Sequence, residues 1–356
     1  MVKGEKTVMG TTISRRATIA AVLVTVGGVL CSCSGTTADS STTSGTAFEP
    51  VTTTDCEGRN SHRFDTAPTK IISSNNAGAD LLARLGAGQQ VSGVGWARGL
   101  DALAPDVRDK LTSAQRLSDG NIDKEKLLSS GAQVFLATFA SMDMMGTPEP
   151  TAAEFQAANL TKVFIKSSAC AKFLPGPRTD LDQVYSDISD LAALTGHRQT
   201  GDEMVTSMKK TIESARGKIR SGSRTPTVFH FDVAASKDTL TTPGNRQIAN
   251  AIYTLAGTTP LGGRIDGAFG KFTYEDLVAA DPDWITIAVR RTGDDTSVRT
   301  AQDAAITSLE ADPRTRGLKA VREKRYIRTT SEDMTLAGPA NAEQVAAIVD
   351  SVSTSR

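Results

Sequence analysis

The stretch from Leu181 to Ile219 reads as helix almost without interruption, and it constrains the fold more than any other feature of this chain. Leu181, Val184, Tyr185, Ile188, Leu191 and Leu194 recur at helical spacing, and Gly196 ends that segment. A second segment from about Thr200 carries Met204, Val205, Met208, Ile212, Ala215 and Ile219 on one stripe. From Thr200 to Arg220 a helix would run about 30 Å, the diameter of a small domain. On both sides the pattern is different, because short apolar runs alternate there with helical segments. Before it come strands at Lys70–Ser73, Val91–Val94, Val134–Ala137 and Val163–Ile165, with helices at Ala77–Leu85, Asp123–Ser130 and Thr151–Ala158. After it come strands at Val228–Phe231, Trp284–Ile287 and Tyr326–Arg328. The helices of that half are expected at Arg246–Ala256, Tyr274–Ala280, Ala301–Glu310, Arg316–Glu323 and Ala342–Val352. Alternation of this kind argues for parallel sheets covered by helices. The expected architecture is α/β, with two Rossmann-like lobes joined by a long α-helix. A stiff helical connection restricts lobe closure to a small tilt.

The N-terminus points to export. Ser14-Arg15-Arg16 is followed by an apolar run, Ala17 to Leu30, of roughly 14 residues, which suits a signal-peptide core and is too short to span a bilayer. The run ends in Leu30-Cys31-Ser32-Cys33, which resembles a bacterial lipobox with Cys33 as the lipidated residue. An ordinary cleaved signal peptide is the competing reading, and the paired arginines leave twin-arginine export open beside the general route. Ser34 to about Glu49 is Ser/Thr/Gly/Ala-rich, a composition too poor in apolar surface to order itself. As a tether of roughly 16 residues it would reach about 20–25 Å. The expected organisation is a signal peptide at 1–32, a lipidated tether at 33–50, a first lobe at 51–180, a helical linker at 181–222 and a second lobe at 223–356. The expected location is the outer face of the cell membrane.

Forty basic and 40 acidic residues balance, which argues against nucleic acid or a bulk acidic partner. Of four cysteines, Cys31 goes with the signal and Cys33 with the lipid. Cys56 and Cys170 remain in an oxidising compartment, where a pair is most simply a disulfide; two buried free thiols are the alternative. No GxSxG, no HExxH and no GxGxxG at a strand-to-helix turn is present, so nothing points to an enzyme. Neither the two cysteines nor His62, His197 and His230 stand at metal-ligand spacing, so no metal site or resident cofactor is expected.

Several segments taken in order carry a family resemblance. These are Ala67-Pro68-Thr69-Lys70-Ile71-Ile72, Ala79 to Gly86, Leu181-Asp182-Gln183-Val184-Tyr185-Ser186-Asp187-Ile188, Tyr274-Glu275-Asp276-Leu277-Val278-Ala279-Ala280-Asp281-Pro282-Asp283, and Lys319-Ala320-Val321-Arg322. From about Cys56 onward the chain resembles the helical-backbone class of ABC-transporter substrate-binding proteins, especially actinobacterial members. That class takes up ferric siderophores, cobalamin and haem. The resemblance implies a monomer that holds a small molecule between its lobes and delivers it to a permease with its ATPase. It also implies one docking carboxylate per lobe, Glu125 and Glu275, facing permease arginines. The competing reading is that both only complement a helix dipole. Ser130-Gly131-Ala132-Gln133 departs from the usual Pro-Asp stretch of the first lobe, which weakens the placement of Glu125.

In such folds ligands lie at the carboxyl ends of strands. The candidates there are Asn75, Asn76, Trp96, Arg98, Phe139 and Met142 in the first lobe. In the second they are Asp232, Lys237, Arg246, Lys271, Arg290 and Arg291. An aromatic ring suits a flat or bulky ligand, and arginine forks suit carboxylate, phosphate or the charge of a ferric chelate. Core packing competes for Trp96, and a solvated loop pair competes for Arg290-Arg291. Haem generally needs a His or Tyr ligand, and His62, His197, His230, Tyr185 and Tyr253 read as packing or surface residues. A ferric siderophore is therefore the expected load, with cobalamin, haem or another anionic cofactor precursor as alternatives.

Overall fold

The computed structural model describes residues 48–142, 146–219, 222, 224–233 and 240–354. The expected signal peptide, Cys31, Cys33, most of the tether and Lys237 lie outside the described residues. An antiparallel hairpin, β1 (Val51–Thr54) and β2 (Ser61–Phe64), comes first. The first lobe then alternates through β3 (Ile71–Ser73), α1 (Asn76–Arg84), β4 (Val91–Val94), α2 (Pro105–Arg108), β5 (Gln115–Arg116) and α3 (Lys124–Leu128). It continues with β6 (Val134–Ala137), α4 (Ala152–Ala157), β7 (Thr161–Phe164) and α5 (Lys166–Ala169). Its sheet is parallel throughout, in the order β5-β4-β3-β6-β7. Both β3 and β6 are buried along their whole length, and β6 reads as a continuous apolar run rather than an alternating one.

Two helices follow, α6 (Asp182–Thr195) and α7 (Arg198–Arg216). Gly196, with φ of 80°, closes α6 in the left-handed conformation that favours glycine. At 1.5 Å per residue, the 19 residues of α7 span about 28 Å. A Cβ on Gly201 would collide with Ala192, so glycine lets α7 approach α6 closely. Asp187 of α6 is buried and accepts the amides of Lys166 (3.1 Å) and Ser167 (2.6 Å) at the start of α5. Burial pushes its carboxyl up to about 6.

The second lobe runs through β8 (Thr227–Asp232), β9 (Leu240–Pro243), α8 (Ile248–Leu255), β10 (Thr259–Pro260), β11 (Phe269–Phe272) and α9 (Tyr274–Ala280). It ends with β12 (Trp284–Val289), α10 (Asp295–Ala311), α11 (Lys319–Arg322), β13 (Tyr326–Thr330), α12 (Ser331–Thr335) and α13 (Ala340–Thr354). Its parallel sheet has the order β10-β8-β12-β13, and β9 and β11 form a separate antiparallel ribbon. Every residue of β12 is buried.

The α/β class, two parallel sheets and the long connecting helix follow the sequence reading. Several elements do not. The hairpin at 51–64 and the β9–β11 ribbon were not expected, because their threonine- and glycine-rich strands lack an apolar period. Helix α10 begins at Asp295 rather than Ala301, since Asp294 caps a polar first turn by accepting the Ser297 amide at 2.9 Å. The expected helix at Arg316–Glu323 shrinks to α11, with turns before it.

One continuous apolar cluster links the lobes. It runs from Ile71 and Leu82 through Ile188 on α6 and Met208 on α7 to Val228, Ile252 and Val345. Helix α7 packs on both α6 and α13. Wide separation of the lobes would expose this shared core, so the packing favours small tilts. Cys56 and Cys170 are joined by a disulfide across 114 residues, tying the hairpin turn to the end of α5.

Candidate ligand cleft

The strand ends of the two sheets meet at a seam. In the first lobe Asn75 caps α1, accepting the Gly78 amide at 3.0 Å, and its side-chain amide donates to Thr138 at 2.6 Å. This ties the loop after β3 to the loop after β6. Asn75 and Asn76 are both buried. Trp96 follows β4 in the left-handed conformation, with φ of 46°. Such a backbone is rare for a bulky residue and costs energy that the surroundings must supply. They do so through two bonds: the Trp96 amide donates to Gly120 O (2.9 Å) and its indole N–H to Asn121 Oδ1 (2.9 Å).

From the second lobe, Arg290 sets its guanidinium over the Trp96 ring, 5.4 Å from the centroid. A cation over the indole face is attracted by the ring quadrupole. The next residue points elsewhere: Arg291 donates to both oxygens of Asp333, at 3.3 and 3.0 Å, and its amide to Glu332 at 3.0 Å. Gly99 faces Arg291 across the seam, where a Cβ would lie 2.9 Å from Arg291 O and closer still to the Asn76 amide. Only glycine permits this approach.

A second contact between lobes lies at Arg246. It pairs with Asp266 through Nε at 2.8 Å and Nη2 at 3.1 Å, and Nη1 reaches Lys172 O (3.2 Å) and Leu174 O (3.4 Å). Phe173, between those carbonyls, and Phe269, on β11 next to this loop in sequence, are large apolar side chains left exposed. Sequence reasoning missed both. Phe269 stands in a strand that was not recognised, and Phe173 in a loop with no pattern.

The other candidates divide. Phe139 is exposed after β6, and Lys271 is exposed on β11 opposite Thr241. Arg98 forms a surface ion pair with Asp119 at 3.0 Å. Met142 is buried and packs in a first-lobe cluster with Ile72, Ile122 and Phe135. Asp232 ends β8. Glu125 and Glu275 are exposed in the first turns of α3 and α9, which Asp123 and Thr273 cap.

A groove of about 400 Å³, with Asn76 on its wall, opens beside the seam between α1, α12 and the loop after β12. Asp80, Arg84, Arg291, Glu332 and Asp333 line it, whereas Trp96 and Arg290 do not. Burial raises the carboxyls of Asp80 and Glu332. Among the described residues, no group of three His, Cys, Asp or Glu side chains is arranged to hold a metal ion. Nor is any helix among them long and apolar enough to cross a membrane.

A family model described as periplasmic binding protein matches residues 71–332. The chain belongs to the periplasmic binding protein family. No curated protein sequence matches it. Its fold is similar to a crystal structure of a periplasmic binding protein from Veillonella parvula, with a TM-score of 0.73 at 19% identity, covering 86% of this chain and 99% of that one. It is also similar to an ABC-type Fe3+-hydroxamate transport system structure from Saccharomonospora viridis, with a TM-score of 0.66 at 19% identity, covering 85% and 98%. A periplasmic haem-binding protein from Roseiflexus shares the fold at a TM-score of 0.59 and 19% identity, covering 79% and 98%. In open α/β sheets ligands bind outside the carboxyl ends of the strands, and it is at such strand ends that Trp96 meets Arg290.

Proposed function

We propose that this protein is the substrate-binding component of an ABC importer and captures a ferric siderophore between its lobes. The observation that carries the proposal is the meeting of Trp96 and Arg290 from opposite lobes at the strand ends. An aromatic face beside an exposed cation offers stacking and charge to an anionic or ferric chelate. The shared core and α7 support closure by a small tilt, so the ligand is clasped by its surface rather than engulfed.

Haem is favoured less by the residues present. His230 is buried in the second lobe against Tyr253, with 2.9 Å between ring nitrogen and hydroxyl, and burial pushes its pKa down to about 3. His197 packs over Gly86, at the far end of α1 from Asn75. Neither is presented to the seam as an axial ligand.

In this reading Cys33 carries the lipid that keeps the protein at the outer face of the membrane. Glu125 and Glu275 meet arginines of the permease, where separated carboxylates fix orientation and speed encounter. The protein works as a monomer, binds without turnover and needs no resident cofactor. The test is a titration of the soluble body with ferric hydroxamate and catecholate siderophores, haem and cobalamin, followed by tryptophan emission. Saturable quenching by one ferric chelate is expected. Saturation by cobalamin or haem alone would replace the siderophore reading, and silence across the panel would overturn the proposal.

A further inference from the structure

We propose that Glu332 and Asp333 are positioning residues for ligand capture: by clamping Arg291 they hold the neighbouring Arg290 over Trp96. The inference deepens the binding role proposed above and rests on it for its ligand readout only. Arg290 and Arg291 follow β12 directly, and Arg290 is exposed while Arg291 is half-buried. A loop arginine with four side-chain torsions does not stay over one ring unless its backbone is held. Here the backbone is held from three sides. The Arg291 amide donates to Glu332 Oε2. Its guanidinium Nη2 donates to both oxygens of the Asp333 carboxylate, a charge-assisted contact that holds the side chain and, through it, the loop. Its carbonyl abuts Gly99 of the opposite lobe.

The clamp is itself built on rigid elements. β12 and β13 are paired in parallel with Val289 opposite Thr330, so the residues after each strand emerge side by side. Thr330 caps α12 by accepting the Asp333 amide at 3.2 Å. Asn341, fully buried, donates to the carbonyls of Asp333 and Leu336 and fastens α12 to α13. Strand register therefore places Glu332 and Asp333 beside Arg291: Glu332 holds its amide, and Asp333 draws its side chain into the groove, away from the Trp96 ring. That division of labour assigns Arg290 to the ligand and Arg291 to support, which two adjacent arginines in a sequence do not reveal.

Trp96 makes the inference measurable without a ligand. In a Trp284→Phe background it is the one tryptophan left. Arg290→Ala then defines the emission of Trp96 without the overlying cation. Glu332→Ala and Asp333→Asn are expected to move emission towards that value and to weaken ferric-chelate binding about five- to tenfold. Glu332→Gln, which keeps an acceptor for the Arg291 amide, is expected to stay within twofold of the parent. If Glu332→Ala does not fold, Asp333→Asn carries the test, because it leaves the backbone bond intact. Folded variants with parental Trp96 emission would overturn the inference, whatever their affinity, as would an Arg290→Ala protein with parental emission. A shifted emission in protein that binds no chelate would leave the clamp standing and remove the siderophore reading instead.

Discussion

The disulfide gives the sharpest stability prediction. Replacing Cys56 and Cys170 by alanine releases a crosslink that spans 114 residues. In the chain-entropy model a loop of that length restricts the unfolded chain by about 16 cal/mol/K, or about 5 kcal/mol at 25 °C. That is a large share of the 5–15 kcal/mol typical of folded proteins. At about 2 °C per kcal/mol for a chain of this size, the melting temperature should fall by roughly 10 °C. Cys170 is fully buried, so alanine also leaves a small cavity worth about 1 kcal/mol. Mild reduction of the parent separates the two effects, because it breaks the crosslink and keeps both sulfur atoms. Urea unfolding followed by circular dichroism is the assay. The crosslink acts on the unfolded state, so its loss should also raise the urea dependence as the denatured chain expands. Reduced and oxidised parent within 1 kcal/mol of each other, with equal urea dependence, would refute the reasoning.

Three further outcomes are expected. Asp187 is protonated more readily folded, at about 6, than unfolded, near 3.8. The native state therefore binds more protons between these values, and stability falls as pH rises from about 4 to 6, by up to about 3 kcal/mol, then levels off. Asp187→Asn should flatten that slope in urea unfolding at stepped pH, and an unchanged slope would assign it to another group. Gly99→Ala should force the seam apart at Arg291 O and Asn76, lowering chelate affinity at least tenfold with only about 1–3 kcal/mol lost in stability; unaltered affinity would remove the seam from the binding reading. Glu125→Ala with Glu275→Ala should abolish uptake in cells and leave chelate affinity of the purified protein within twofold, whereas unchanged uptake would end the docking assignment.

Much of the architecture was legible because parallel strands buried on both faces are mostly apolar, as Val134–Ala137 and, apart from Thr286, Trp284–Val289 are. The helices were legible from apolar stripes and from glycine at Gly196. The hairpin and the β9–β11 ribbon escaped, since Val51-Thr52-Thr53-Thr54 and Phe269-Gly270-Lys271-Phe272 carry no apolar alternation and form strands only by pairing with a partner strand, Ser61–Phe64 and Leu240–Pro243. At the seam, topology alone named Trp96 and Arg290, because they follow strands that end at the same side. It equally named Met142, which turns inward, and Arg291, which turns to Asp333.

Local sequence determined the class of fold, the two lobes and the helix between them, because hydrophobic period and capping act over a few neighbouring residues. Tertiary structure decided which side chains share the seam between the lobes. That choice depends on contacts between residues roughly 200 apart, such as Trp96 with Arg290 and Gly99 with Arg291. It depends too on groups such as Glu332 and Asp333, whose role exists only once β13 lies beside β12. A pattern along the chain carries no record of such pairings, since their energy comes from packing and charge brought together only by the folded sheets.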